Sequence, residues 1–331
     1  MTEKTISASA LPSNTVVGVV GLGDMGFAIA TSILRTYPLV ACDLRPEAVA
    51  KAVALGAKSA DSLKSVADQC DVVILVVLDD KQVNQVVGEL LRYPGKIHTI
   101  IVTSTVMPTT VSALAEQARE KGLDLIDAPV SGGAEKASRG IITVMIGGDE
   151  APVRRCWPIF EAFGKSLFHV GAAGAGSAGK LVNNLLSLGG NMLILEGMEL
   201  ARAYGISEDM VTEFVTVSAG DSRTIRAWGW RDRARQRHHL AGTDAIYDLF
   251  SKDVKTAVLA AGLRGVTLPI AAVIGALMGE KAKVRDKYMV ENGLNGPIPQ
   301  CSVCGQELAS PYRKAGMHPE CASATPGQTN W

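Results

Sequence analysis

Several features are scarce in this chain, and each scarcity excludes a class of protein. No stretch of about 18 uninterrupted apolar residues occurs, the length a membrane helix needs. The nearest candidate, residues 266–279, is short, and Arg264 lies just before it. The first fifteen residues lack both a basic start and an apolar core, so no secretory signal is expected and a cytoplasmic location is. Excess charge of either sign is absent, with 33 Lys plus Arg against 33 Asp plus Glu. That balance argues against a dedicated nucleic-acid binder and against electrostatic attachment to a membrane. Aromatic residues make up only 5% of the chain, so the core is expected to be built from Ala, Val, Leu and Ile. The six cysteines do not have the spread of a disulfide framework. Cys42, Cys70 and Cys156 stand alone in apolar or mixed segments and read as buried, reduced thiols, whereas Cys301, Cys304 and Cys321 crowd near the C-terminus.

What is present is an α/β pattern in a chain of 331 residues, long enough for about two domains. Residues 1–14 are polar, without period, and read as a loose arm. Residues 15–20 are a β-branched run bounded by glycine, a buried strand by length and composition. It leads directly into Gly21-Leu22-Gly23-Asp24-Met25-Gly26, after which helical spacing continues to Leu34. This is G-x-G-x-x-G between a strand and a helix, the context that motif requires. Gly21 permits the tight turn, Gly23 lets the backbone approach a pyrophosphate, and Gly26 lets helix and strand pack closely. A second strand, 39–42, ends in Asp43, where a carboxylate would accept the ribose hydroxyls of a dinucleotide. Asp43 favours NAD over NADP, because a 2′-phosphate would meet a negative charge. Arg45 leaves NADP open: it either stacks on adenine or reaches a phosphate if Asp43 turns away.

Further strands are expected at 71–78, 99–102 and 123–128, alternating with helices at 46–55, 62–69, 81–91 and 108–120. All-apolar strands spaced by helices predict a parallel sheet covered on both faces. Thr103-Ser104-Thr105 places hydroxyls at a strand C-terminus, where open α/β sheets bind ligands, and Thr105 joins the cofactor candidates. The loop Pro129-Val130-Ser131-Gly132-Gly133 exposes amides beside a hydroxyl and suits a small carboxylate; the alternative is an ordinary strand-to-helix turn. Two short strands, 141–146 and 166–170, flank a helix at 151–163 and close the sheet domain.

From Ser177 onward the periodicity is helical. Ser177 reads as an N-cap, the helix runs to Tyr204, and Gly205 is a natural stop. Lys180 and Asn184 are four residues apart and so share a helical face. An ammonium beside an amide there suits acid–base chemistry on a carbonyl or alcohol. Ser207, with Glu208 and Asp209 behind it, caps the next helix. The Arg-rich stretch 223–239 reads as a solvated helix or loop rather than a nucleic-acid patch, and His238-His239 lack the spacing of a metal site. Lys252 and Asp253 fall at the beginning of a further helix, and Pro269 near the start of a last one ending around Met289.

Four of these segments together, Gly21–Gly26, Asp127-Ala128-Pro129-Val130-Ser131-Gly132-Gly133, residues 176–184 and Lys252-Asp253, resemble the signature regions of the β-hydroxyacid dehydrogenases, over about residues 15–290. The resemblance implies a Rossmann NAD(P)-binding domain (15–175), a long interdomain helix (176–205) and an all-α substrate and oligomerisation domain (206–292). It implies reversible hydride transfer between NAD(P) and a short 3-hydroxy acid or its semialdehyde, by a homodimer or homotetramer. Lys180 matches the family's catalytic lysine, and Asn184 the asparagine that orients lysine and substrate. Ser131, Gly132 and Gly133 match the carboxylate loop. Lys252 matches a second lysine near nicotinamide and substrate, with Asp253 positioning it. A lysine titrates near pH 10 in water, so desolvation or the second lysine has to lower that value for the base role. Imine reductases share the fold but usually replace the catalytic lysine, so Lys180 argues against that activity.

The tail departs from the family. A Gly/Pro-rich linker, 293–299, precedes Cys301-x-x-Cys304 and His318-x-x-Cys321. Three thiolates and an imidazole at these spacings predict a structural Cys3His zinc site in a knuckle-like segment, 293–331, that has no core of its own. The alternatives are a disordered tail with free thiols, or a disulfide. Two competing functions remain open at this point: an NADPH-preferring semialdehyde or imine reductase, and a non-catalytic cofactor sensor or scaffold that binds a partner through its tail.

Overall fold

Short apolar strands form the centre of the sheet. β1 (Val17–Val20), β2 (Leu39–Cys42), β4 (Val72–Leu75) and β5 (Thr99–Val102) are buried along their whole length. A parallel strand covered on both faces has no solvent side on which polar residues would alternate. With β3 (Lys58–Ser59) and β6 (Asp124–Asp127) they run in the order β3-β2-β1-β4-β5-β6, all parallel. That is the doubly wound order of dinucleotide-binding sheets. Successive side chains point to opposite faces. Val17, Val19, Val72 and Ile74 face a core shared with Ile29, Ile33, Phe160 and Phe163. Val20, Val73 and Leu75 face the other, with Val83, Val87, Leu90 and Leu114. The helices are α1 (Asp24–Ile33), α2 (Pro46–Ala54), α3 (Leu63–Gln69), α4 (Asp80–Arg92), α5 (Pro108–Glu120), α6 (Ala134–Ser138) and α7 (Glu150–Phe163).

The sheet is not wholly parallel, which corrects the expectation. β7 (Val130–Ser131) and the end of β6 both pair antiparallel with β8 (Ile142–Gly147), and β9 (Gly164–Gly171) pairs parallel with β8. Pro129 stands between β6 and β7; it has no N–H to donate to a ladder. β4 is shorter than the expected 71–78, because beyond Leu75 the amides of Val77 and Leu78 bond to the side chains of Ser104 and Gln82.

The structure, a computed structural model, describes residues 11–12, 14–229, 246–292 and 302–303. Cys301, Cys304, His318 and Cys321, His238 and His239, most of the arm and most of the Arg-rich stretch lie outside the described residues. Among the described residues no helix is long and apolar enough to cross a membrane, and no group of three metal-binding side chains converges.

The chain divides into two compact units, Met1–Asn183 and Asn184–Trp331. The helix α8 (Ala175–Ala203) begins in the first and continues into the second. It ends as expected: Gly205 adopts φ +74° and its amide, with that of Ile206, returns to the last turn. The second unit also contains α9 (Glu208–Val215), α10 (Arg223–Arg226), α11 (Ile246–Gly262) and α12 (Pro269–Glu291). Leu188, Met192, Val254, Ala271 and Met278 form one core, and Met198, Val211, Ile225 and Trp228 another. Between the turns of these helices Glu208 accepts hydrogen bonds from Arg202, Trp228 and Arg285.

Candidate active site

The glycine turn between β1 and α1 has the shape its sequence demands. Gly21 has φ +93°, and a Cβ there would lie 2.3 Å from the carbonyl oxygen of Val76. A Cβ on Gly26 would lie 1.9 Å from the Gly21 carbonyl, so helix and turn touch main chain to main chain. Gly23 differs: a Cβ there would meet nothing within 4 Å. It is the N-cap of α1 and offers no side chain to its first-turn amides. Open space before an uncapped helix N-terminus fits a diphosphate.

Asp43, at the end of β2, reaches this turn. Its carboxylate accepts from the Leu22 amide at 2.5 Å, from the Arg45 amide at 2.9 Å and from Arg45 Nε at 3.0 Å. Burial alone would raise its pKa; the hydrogen bonds from Arg45 and Leu22 outweigh burial and hold it below the usual carboxylate value. Arg45 is therefore paired with Asp43 here. The glycine turn, Asp43 and Arg45 come together as one site fit for NAD or NADP. Thr105 follows β5 and is half-buried.

In the loop expected to receive a carboxylate, Ser131 closes β7, and Gly132 and Gly133 adopt φ +145° and +83° before α6. Asn183 donates from Nδ2 to Ser131 Oγ at 3.3 Å. Because Ser131 Oγ accepts from Asn183, its own proton is directed elsewhere. The sequence carries no signal for Asn183, which only the folded helix brings to this loop.

Lys180 lies in the second turn of α8 and is half-buried. Ser177 is not the N-cap: the helix begins at Ala175, and its first turn is capped from outside. The carboxylate of Asp127, at the end of β6, accepts from the Gly174 amide at 2.8 Å and from the Ser177 amide at 2.5 Å. Asp127 is completely buried; burial raises its pKa, and the two amides offset part of that rise. Asp127 carried no role in the sequence beyond its place in a motif. An acidic residue ending an apolar strand was the one available signal.

In the second unit, Asn184 donates from Nδ2 to Asp253 Oδ2 at 2.7 Å. A carboxylate only accepts, so this bond decides which end of the Asn184 amide is the NH2 group. Asp253 is buried, and the ammonium of Lys252 lies 3.4 Å from its Oδ1. Lys252 and Asp253 sit in the middle of α11, not at its beginning; the helix starts earlier, at Ile246, than the sequence pattern indicated. Asp253 thus holds Asn184 as well as its neighbour Lys252.

The chain is similar to known proteins along most of its length. A family described as the NAD binding domain of 6-phosphogluconate dehydrogenase matches residues 16–171. One described as NAD-binding of NADP-dependent 3-hydroxyisobutyrate dehydrogenase matches residues 174–288. L-threonate dehydrogenase of Cupriavidus necator is 33% identical over 266 residues, 77% of this chain and 86% of that protein. The 3-hydroxyisobutyrate dehydrogenase of Pseudomonas aeruginosa is 32% identical over 272 residues, 78% of this chain and 89% of that one. Among solved structures, Mycobacterium tuberculosis 3-hydroxyisobutyrate dehydrogenase with L-serine superposes with a TM-score of 0.70 at 26% identity, covering 82% of this chain and 94% of that one. The glycine turn, the sheet order and these matches along most of the chain lead to one assignment: the protein belongs to the β-hydroxyacid dehydrogenases and is an NAD(P)-dependent oxidoreductase.

Proposed function

We propose that the chain interconverts a short 3-hydroxy acid and its semialdehyde or 3-oxo acid, with NAD as the preferred cofactor and Lys180 as general acid–base. The observation that carries this reading is the pair Lys180 and Asn184, one turn apart on α8, with the Asn184 amide held by a buried carboxylate. Precise placement of both groups on a helix is what proton transfer to a reacting oxygen needs. NAD, when bound, supplies the hydride acceptor for oxidation. Gly21 to Gly26 and Asp43 would hold it, with Arg45 and Thr105 beside them.

In the oxidative direction the neutral amine of Lys180 takes the hydroxyl proton as hydride leaves the carbon. In reduction its ammonium returns that proton to the forming alkoxide. Asn184 orients the hydroxyl, and Asp253 keeps the amide from turning over. Ser131, whose oxygen accepts from Asn183, donates a hydrogen bond to the substrate carboxylate, with the amides of Gly132 and Gly133 beside it. Lys252 supplies positive charge near substrate and nicotinamide. Residues 15–175, 176–205 and 206–292 are the cofactor domain, the connecting helix and the substrate domain of this reading.

Three further parts belong to it. A homo-oligomer is supported by Leu186, Leu193 and Leu200, which stand at seven-residue intervals on α8 and are each more than 60% exposed. A second copy of the chain would cover that stripe. In the tail, Cys301, Cys304, His318 and Cys321 bind a structural zinc ion, supported by ligand type and spacing. One equivalent of zinc in the purified protein, lost on Cys301→Ser, is the expected result. A cytoplasmic location fits the dehydrogenase family.

The central test is NADH formation from NAD and a panel of short hydroxy acids, run with the parent and with Lys180→Ala. Turnover by the parent and a loss of at least about 10³-fold in the variant is expected for removal of a general base. Equal turnover by both would end the assignment of Lys180.

A further inference from the structure

We propose that Asp127 is a positioning residue for Lys180: its buried carboxylate staples the first turn of α8 and so sets the angle and height at which the lysine leaves the helix. The inference rests on the acid–base role proposed for Lys180.

A helix start leaves several amides without intrahelical partners, and a residue at the N-cap normally supplies the acceptor. Here the acceptor comes from a strand 47 and 50 residues earlier. The two oxygens take different amides, Gly174 N at Oδ1 and Ser177 N at Oδ2. One bond would leave the turn able to pivot; two, spaced by three residues, fix its rotation about the helix axis. Lys180 follows Ser177 by three residues and lies one turn higher on the same face.

The turn and the strand ends meet main chain to main chain. A Cβ on Gly147 would lie 2.4 Å from Asp127 Oδ1 and 2.6 Å from the Gly176 amide. A Cβ on Gly176 would lie 2.6 Å from the Met145 carbonyl oxygen and 2.8 Å from that of Asp127. The helix start is thus seated on the strand ends by main chain, and the carboxylate is the side chain that clamps it there. Ser112 adds a bond to the Ala173 carbonyl oxygen just before the helix.

Asp127 also stands four residues before Ser131 on the same run of chain. One strand end therefore anchors the lysine helix and begins the carboxylate loop. The distance between the proton-transfer group and the hydroxyl that receives the substrate carboxylate is set at this joint. Asparagine is the informative replacement. It keeps the volume of aspartate, but its NH2 group would face one of the two amides, donor against donor.

The experiment compares the parent, Asp127→Asn, Asp127→Ser and Lys180→Ala as full chains. It measures NAD affinity, then kcat and KM on the acid of the panel that the parent oxidises fastest. It also follows the pH dependence of Lys180 acetylation by competitive labelling, which needs no substrate. For Asp127→Asn we expect NAD affinity and KM within about threefold of the parent and kcat lower by about 10–100-fold, the effect of displacing a catalytic group by roughly an ångström. The labelling midpoint of Lys180 is expected to shift, because the side chain then leaves the helix at a different angle and meets different surroundings. Parent-like kcat with an unmoved midpoint overturns the proposal. So does loss of NAD binding in both Asp127 variants, which would make the residue structural only. If Lys180→Ala turns over like the parent, the acid–base reading has failed. If Lys180→Ala is inactive while Asp127→Asn matches the parent, only the positioning role has failed. Should no acid be oxidised by the parent, the labelling midpoint alone decides: a shift supports the positioning role and an unmoved midpoint overturns it.

Discussion

Replacing Glu208 by glutamine should destabilise the helical unit far more than its position near a helix start suggests. Its carboxylate accepts from Arg285 Nη1 and Nη2 at 2.5 and 3.0 Å, from Arg202 Nη1 at 2.6 Å and from Trp228 Nε1 at 2.8 Å. Its side chain is 14% exposed, and that of Arg285 is 5% exposed. The Arg285 guanidinium also lies over the rings of Trp228 and Tyr288, at 4.9 and 5.3 Å. Glutamine keeps the volume, removes the charge and turns an NH2 group toward this ring of donors. Breaking a buried ion pair by changing one partner costs about 3–5 kcal/mol. With a urea dependence of about 2 kcal/mol per molar, the unfolding midpoint falls by about 1.5–2.5 M. Arg202→Ala should cost less, because that side chain is 23% exposed.

The pH dependence carries a sign. Burial alone would raise the pKa of Glu208, but hydrogen bonds and charge from Arg285, the Trp228 donor and the charge of Arg202 outweigh burial and leave it lowered from 4.5. A lowered folded value means that the contribution is complete above the unfolded value and is lost as pH falls through the folded one. Urea unfolding of parent and Glu208→Gln, followed by circular dichroism, should therefore give a constant difference between pH 6 and 8 and a narrowing one in acid. A midpoint change under about 0.5 M at pH 7, or a difference that persists in acid, would refute the assignment of Glu208 as a buried charge node.

Three other outcomes follow from the geometry. Gly23→Ala should melt like the parent and bind NAD at least about 10-fold more weakly, since its Cβ enters open space that the diphosphate is proposed to use; Gly26→Ala, whose Cβ would meet the Gly21 carbonyl at 1.9 Å, should fail to fold stably. Equal NAD affinity for Gly23→Ala and the parent, by calorimetry, would count against the turn as the diphosphate site. Asp43→Ser should lower the ratio of kcat/KM with NAD to that with NADP by about 10–100-fold, the worth of a hydrogen bond to a charged group; an unchanged ratio would remove Asp43 from the ribose site. Burial pushes the thiols of Cys70 and Cys156 up to about 12, so neither should react with a disulfide reagent at pH 8 until urea is added; rapid modification of either in the native chain would contradict its burial.

How much of this was legible in the sequence depends on the range of the interaction concerned. The glycine turn is local: strand, three glycines and helix lie within about twenty residues, and Gly21 and Gly26 meet the close main-chain contacts their places in the motif predict while Gly23 faces open space. β1, β2, β4 and β5 were legible because burial on both faces leaves an unbroken apolar run, whereas the short exposed β3 was not, and Ser207 caps its helix as expected, through the amide three residues on. The direction of β8 was not legible, although the strand itself was. Its apolar run reads the same in either direction, and direction is fixed by what lies beside it.

The candidate site divides along the same line. Lys180, Asn184, Ser131 and the glycines follow from motif and spacing, but the groups that hold them do not. Asp127 reaches the Ser177 amide across 50 residues, Asn183 reaches Ser131 across 52, and Asp253 receives Asn184 across 69. Ser177 illustrates the cost of local reasoning. It has the side chain, the position and the following helix of an N-cap, yet the helix starts two residues earlier. A distant carboxylate grips two amides where one hydroxyl would grip a single one, and the main-chain contacts at Gly147 and Gly176 hold the turn within its reach. Catalytic residue types recur at fixed spacings because they must face a reacting atom. The residues that fix their geometry need only arrive at the right point in space, and any strand end that passes there can supply them.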